Sequence, residues 1–138
     1  MIADSPDSPP TAVHPPSTLS YAIVTPARNG RDSLMRVADS VRAQQHRPDH
    51  WVIVDDDSDD GMREVADELA FQHDWILVVG TGEGDEKLPN GRLRGRELLA
   101  FRHGLRALPT SVDVFVKVDA DTSFDPDYFE RLLGRFVE

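Results

Sequence analysis

The sequence predicts an α/β fold, an open parallel sheet of βα repeats arranged as a three-layer sandwich, and three observations predict it. Short apolar runs rich in β-branched residues recur along the chain. They alternate with segments whose apolar residues fall at helical spacing. Alternation of this kind means parallel strands covered by helices, joined by right-handed crossovers. The third observation is positional. Pro26-Ala27-Arg28-Asn29, Asp55-Asp56-Asp57 and Asp119-Ala120-Asp121 each stand directly after one of the runs. In a parallel sheet all three clusters leave from the carboxyl edge, where open α/β sheets bind ligands.

Residues 1–20 are set apart as a disordered tail. They hold five of the ten prolines and several serines, and they show no apolar periodicity. The segment lacks the apolar core and basic start of a signal peptide. Residues 21–138 form the expected domain. Tyr21–Thr25 is a strand ended by proline. Leu34, Val37, Ala38 and Val41 mark one face of a helix that breaks near Pro48. Trp51–Val54 is a second strand, followed by a helix with Met62, Val65, Ala66 and Leu69 on its apolar face. Trp75–Val79 is a third strand, closed by Gly80, and Thr81–Gly91 is a glycine-rich acidic loop. Leu98, Phe101, Leu105 and Leu108 mark a third helix stopped by Pro109. Val112–Val118 is the fourth strand. Asp125-Pro126 reads as the start of a last helix, an Asp cap with proline at the first helical position. Phe129, Leu132, Leu133 and Phe136 carry that helix to the end.

Composition narrows the chemistry. The 138 residues contain no cysteine, which excludes disulfides, thiolate zinc sites and a cysteine nucleophile. No run reaches the ~18–20 apolar residues that a membrane span needs. The expected location is the cytoplasm, with at most a peripheral place at the inner face of the membrane. The formal charge of −10 comes from 25 acidic against 15 basic residues. Such a surface disfavours nonspecific nucleic-acid binding, and it equally suits adaptation to high salt. Six basic residues, Lys87, Arg92, Arg94, Arg96, Arg102 and Arg106, lie in one stretch with a single acidic one, Glu97. That arm could contact an anion or simply be a solvated helix face.

Asp-x-Asp spacing alone carries little weight, because 18 aspartates produce four such pairs. Position distinguishes Asp119 and Asp121, which follow a strand. Hard oxygen ligands there could hold Mg²⁺ or Mn²⁺ against a diphosphate; the same residues, followed by Thr122, Ser123 and Asp125, could also make a turn. Asp55 to Asp60 places five carboxylates in six residues. Their mutual repulsion calls for solvation or a nearby cation. One or two could accept hydrogen bonds from a base or ribose while the rest cap the helix near Gly61. Asn29 could satisfy turn backbone or touch a nucleoside. The five histidines show no ligand spacing, and Gly80–Gly84 lacks the phosphate-loop pattern.

Together, IVTPARNG (23–30), SVRAQ (40–44), WVIVDDDSDDG (51–61), AFRHGL (100–105) and VKVDADTSFDPDYFERL (116–132) resemble the N-terminal, nucleotide-sugar-binding half of a family 2 glycosyltransferase with the GT-A fold. The resemblance implies that Pro26 and Asn29 line the nucleotide site, with Asp56 facing the base edge and Asp55 beside it. It implies Asp121 as the more direct metal ligand, and Asp119 as a metal ligand through water or a ribose contact. Arg96 would face the diphosphate, with Arg92 as a second candidate. Three positions depart from the family pattern: Arg28 stands for an aromatic, Asp57 for a glycine and Arg102 for an asparagine. No residue matches the family's catalytic carboxylate base.

The implied function is transfer of a sugar from a nucleoside-diphosphate sugar to a glycan, lipid or protein acceptor. The mechanism would be inverting and assisted by Mn²⁺ or Mg²⁺. The alternatives are a receiver-like phospho-acceptor module, suggested by Val52–Asp57, a dehalogenase-type phosphatase, suggested by Val118–Ser123, and an inactive nucleotide-binding remnant.

Overall fold

Four strands pair side by side in the order β3-β2-β1-β4, all parallel. They are β1 (Tyr21–Ala27), β2 (His50–Asp55), β3 (Ile76–Gly80) and β4 (Val114–Lys117). Between them run α1 (Arg31–Arg42), α2 (Met62–Gln72) and α3 (Arg96–Arg106). After β4 come α4 (Tyr128–Gly134) and a 3-10 turn, Arg135–Val137. The computed structural model describes residues 19–81 and 96–137. Most of the expected tail, and the glycine-rich loop beyond Thr81, therefore lie outside the described residues. Leu19 packs against the core, and the Ser20 backbone N–H donates to Asp113 Oδ2 at 3.0 Å.

Strand alternation sorts the side chains into two layers. Tyr21, Ile23, Trp51, Ile53 and Ile76 face α1, α2 and α4, meeting Leu34, Val37, Val41, Met62, Leu69, Phe129 and Leu133. Val24, Val52 and Val54 face α3 through Ala100, Phe101 and Leu105. This is the expected three-layer sandwich. Its first layer includes two buried polar anchors. Trp51 Nε1 donates to Thr25 Oγ1 at 2.9 Å across neighbouring strands. The Tyr21 hydroxyl donates to the His46 carbonyl while its ring stacks on Phe129. Burial, with Asp49 nearby, raises the Tyr21 pKa well above the usual phenol range, so this donor keeps its proton.

Against the second layer α3 lies unusually close. A Cβ added at Gly104 would come within 2.6 Å of Val24 Cγ1 and 2.8 Å of Val54 Cγ2. Both are stiff β-branched side chains locked in the sheet, so neither can retreat cheaply. Gly104→Val is therefore expected to cost about 3 kcal/mol of unfolding free energy, read as a lower urea midpoint at constant slope. An unchanged midpoint would mean that the helix is not held at this distance.

Four expectations are corrected. The first strand runs through Pro26 to Ala27 instead of stopping at the proline. The fourth is shorter than Val112–Val118. The last helix begins at Tyr128, with Asp127 rather than Asp125 at its cap position and no side-chain cap bond. The reason lies elsewhere in the chain: the Gln44 side chain, only 6% exposed, serves this helix start. Its Oε1 accepts the Phe129 N–H at 3.1 Å, and its Nε2 donates to the Asp125 carbonyl at 2.6 Å. Ser40 Oγ accepts the Phe124 N–H at 3.2 Å. Phe136, expected on the buried face, is 62% exposed, because the chain tightens into the 3-10 turn there.

Candidate functional site

The sheet order reverses between β1 and β4. Strands β1, β2 and β3 step outward in one direction, and β4 then returns to the far side of β1. Such a switch point leaves a crevice at the carboxyl edge, because the two crossovers depart to opposite sides. Pro26 contributes directly to that crevice. The last ladder bond between these strands is the Val118 N–H donating to the Val24 carbonyl, 3.1 Å. The next one in a parallel ladder would need an N–H from residue 26, and proline has none. The strands therefore part without stranding a donor.

Of the loops that leave this edge, the first meets both the aspartate cluster and the loop after β4. Asn29 adopts φ 54°, the left-handed region that asparagine tolerates better than most residues. From there its N–H donates to Ser58 Oγ at 2.8 Å and its Oδ1 accepts the Asp59 N–H at 2.8 Å. The first loop is thereby tied to the aspartate cluster. A Cβ on Gly30 would lie 3.7 Å from Ala120 Cβ, so the residue between Asp119 and Asp121 packs against the same first loop. Asp60 joins the helix starts, accepting the Arg31 N–H at 3.1 Å and the Met62 N–H at 3.0 Å. One carboxylate thus caps α1 and α2 together.

The cluster at residues 55–60 divides its labour. Asp55 is 6% exposed. Its Oδ1 accepts the Ser58 N–H at 3.1 Å, and its Oδ2 lies 3.9 Å from Arg63 Nη1. It builds the turn and faces Arg63 of α2. Asp56 accepts the Thr81 hydroxyl at 2.6 Å, a contact between the β2 and β3 ends. Asp57 has φ 65°, which explains the glycine common at this place: the backbone is left-handed, and aspartate accepts that at a cost.

Asp119 and Asp121 are both exposed on the loop after β4. Lys117 Nζ donates to Asp119 Oδ1 at 2.8 Å. Among the described residues no group of three or more His, Asp or Glu side chains is gathered as a cation site. Two hard oxygen donors without a third suit a cation that takes its remaining ligands from a diphosphate and water. The donor set thus fits Mg²⁺ or Mn²⁺ shared with a ligand. It does not fit a metal held by protein alone.

Arg96 is the first residue of α3. Its side chain, with Lys87, Arg92 and Arg94, lies outside the described residues. The C-terminal end of α3 leads toward the opposite rim, where Thr110 Oγ1 meets His50 Nε2 at 3.0 Å. Arg106 is therefore about 15 Å along the helix axis from Arg96. Of the described basic residues, Arg96 and Arg106 thus stand at opposite ends of α3. Sequence reasoning missed Lys117, Thr81 and Ser58, and a signal existed only for Lys117, as the lone lysine beside the Asp-x-Asp pair.

Fold and edge together define an open α/β domain with carboxylate-bearing loops at its switch point. Compared with known families, residues 22–138 match the sequence model of glycosyl transferase family 2. The chain belongs to that family. By sequence, no curated protein matches it. Among solved structures, the mannosyltransferase PcManGT of Pyrobaculum calidifontis, in complex with GDP-Man and Mn²⁺, superposes with a TM-score of 0.65 at 18% identity. The match covers 87% of this chain and 33% of that one. TarS 1-349 of S. aureus gives 0.63 at 14% identity, covering 83% and 31%. Glucosyl-3-phosphoglycerate synthase of Mycobacterium tuberculosis, with Mn²⁺, UDP and glucosyl-3-phosphoglycerate, gives 0.56 at 18% identity, covering 88% and 42%. The shared feature is the GT-A fold, and the chain spans about a third of the length of the first two. The receiver-like alternative loses its basis here, since the aspartate-bearing strand is second in the chain and residues 96–106 are helical.

Proposed function

We propose that this chain forms the donor-binding part of a glycosyltransferase that takes a sugar from a nucleoside-diphosphate sugar. The observation that carries the reading is the meeting of three loops, at residues 26–30, 55–60 and 119–121, around one switch-point crevice. Family membership, and the nucleotide ligands in the structures of the similar proteins, support it.

In this reading Pro26 and the Asn29 loop wall the nucleoside pocket, and Asp56 meets the base edge. Asp55 supports that wall from behind through Ser58 and Arg63. Asp121 is the direct ligand of Mn²⁺ or Mg²⁺, with Asp119 holding a bound water or the ribose, and Arg96 supplies positive charge toward the diphosphate. When bound, the cation supplies Lewis-acid stabilisation of the departing diphosphate. The chain's own residues orient the donor and fix the diphosphate beside the first loop. The acceptor and the base that deprotonates it are not assigned. Among the described residues, no helix is long and apolar enough to cross a membrane.

Calorimetric titration of the chain with UDP and with GDP, each with and without Mn²⁺, tests the proposal. The expected result is nucleotide binding that needs the cation, about tenfold tighter or more in its presence. Binding indifferent to Mn²⁺, or none to either nucleotide, would overturn it. Transfer or hydrolysis of a bound nucleotide sugar then separates an enzyme from an inactive remnant.

A further inference from the structure

At the carboxyl edge the ends of β1, β2 and β3 are joined by backbone bonds. The Asp56 N–H donates to the Ala27 carbonyl at 2.9 Å, and the Thr81 N–H donates to the Asp55 carbonyl at 3.1 Å. Both bonds form whatever the side chains are, and what they leave open is the rotamer of Asp56. Thr81 restricts it. Its hydroxyl donates to Asp56 Oδ1 at 2.6 Å, within the short range of a hydrogen bond to a charged oxygen. Asp56 has interactions besides this one, so its carboxylate is held in place and does not swing in solvent. Alternation puts both residues on one face of the sheet. Val52 and Val54 of β2, with Leu77 and Val79 of β3, pack in the layer under α3, and Asp56 and Thr81 extend those two rows by one step. The register, with Asp55 beside Gly80, sets them side by side. Asp55 takes the opposite face, toward Arg63.

We infer that Thr81 is a positioning residue, which fixes the Asp56 carboxylate in the rotamer that reads the nucleobase of the donor. This rests on the donor-binding reading above, in which Asp56 meets the base edge, and adds to it the residue that makes the contact selective. An ionised carboxylate accepts hydrogen bonds and donates none. Uracil presents a ring N–H to such an acceptor, whereas cytosine carries a lone pair at the same ring position and a donor only on its amino group. A carboxylate held in one rotamer therefore accepts from uracil and repels cytosine. A carboxylate free to turn reaches the cytosine amino group and loses that distinction. Selectivity of this kind comes from leaving the wrong ligand's polar groups unpaired, and it requires that the acceptor not adapt. The Thr81 hydroxyl supplies that rigidity, while the backbone bonds beside it hold the strand ends without its help.

The test is calorimetric titration of the intact chain with UDP and with CDP in saturating Mn²⁺, for wild type, Thr81→Val and Thr81→Ser. Thr81→Val keeps the shape of the side chain and removes the hydroxyl. It is expected to bind UDP about three- to tenfold more weakly, the worth of one hydrogen bond, and CDP no more weakly than wild type, so the preference for UDP shrinks by that factor. Thr81→Ser, which restores a hydroxyl, should recover both the affinity and the preference. In an Asp56→Ala background Thr81→Val should change neither, since the group through which it acts is gone. Equal losses for UDP and CDP in Thr81→Val would mark Thr81 as a strand-end fastening only and overturn the inference, as would unchanged UDP binding or a failure of serine to rescue. A wild type that takes up UDP and CDP equally, and only with Mn²⁺, also overturns it while leaving the donor-binding reading standing. If wild type takes up no nucleotide, both fall.

Discussion

Asp121→Ala is expected to lower cation-dependent UDP affinity by about 100-fold or more, with thermal stability unchanged. The number follows from its proposed place. Loss of a group that only orients a metal ligand costs ~10–100-fold, and a direct ligand stands closer to the metal than that. The stability half follows from exposure, since surface substitutions outside caps and buried networks fall within ~0.5 kcal/mol. Asp119→Ala should cost less, because its proposed contact runs through a bound water or the ribose. Calorimetry beside a melting curve checks both variants. Equal losses at the two positions would contradict the division of roles between them.

Gln44→Leu is expected to reach the same loop from the opposite rim. The substitution strands the buried Phe129 N–H, which Gln44 Oε1 accepts at 3.1 Å, and takes one of two bonds from the Asp125 carbonyl, which keeps the Tyr128 N–H at 3.0 Å. A buried orphan costs about 1–3 kcal/mol, so the loss of unfolding free energy is about 1–3 kcal/mol, measured by urea denaturation. Because residues 124–129 continue directly from the Asp-x-Asp turn, slackening them should also weaken UDP binding in Mn²⁺. A variant that loses stability but binds normally would show that Ser40 alone suffices to hold the segment.

The helix faces were legible because their signal is local and periodic. Leu34, Val37, Ala38 and Val41 are all buried, as their spacing requires, and Met62, Ala66 and Leu69 behave alike. The convergence of three loops was legible too, since parallel strands leave every following loop at one edge. Local chemistry misled at Asp125-Pro126, a good cap by composition, because Gln44 outcompetes it from 81 residues away. It was silent at Asn29, where the same amide suits either a turn or a nucleoside. The structure commits its oxygen to the Asp59 N–H.

Gly104 shows the limit most plainly. In the sequence it is a weak point in a helical pattern, while in the fold it is the contact that lets α3 lie on Val24 and Val54. Taken alone, the chain determined its α/β class, its helix faces and the edge at which its carboxylates gather, because each depends on spacing within a few residues. Tertiary structure decided which carboxylates are buried or cap helices and which stay exposed to solvent. Asp55 is buried against Arg63, Asp60 caps two helices, and Asp119 and Asp121 stay exposed. All are the same residue type, and only the partners brought near by folding tell them apart.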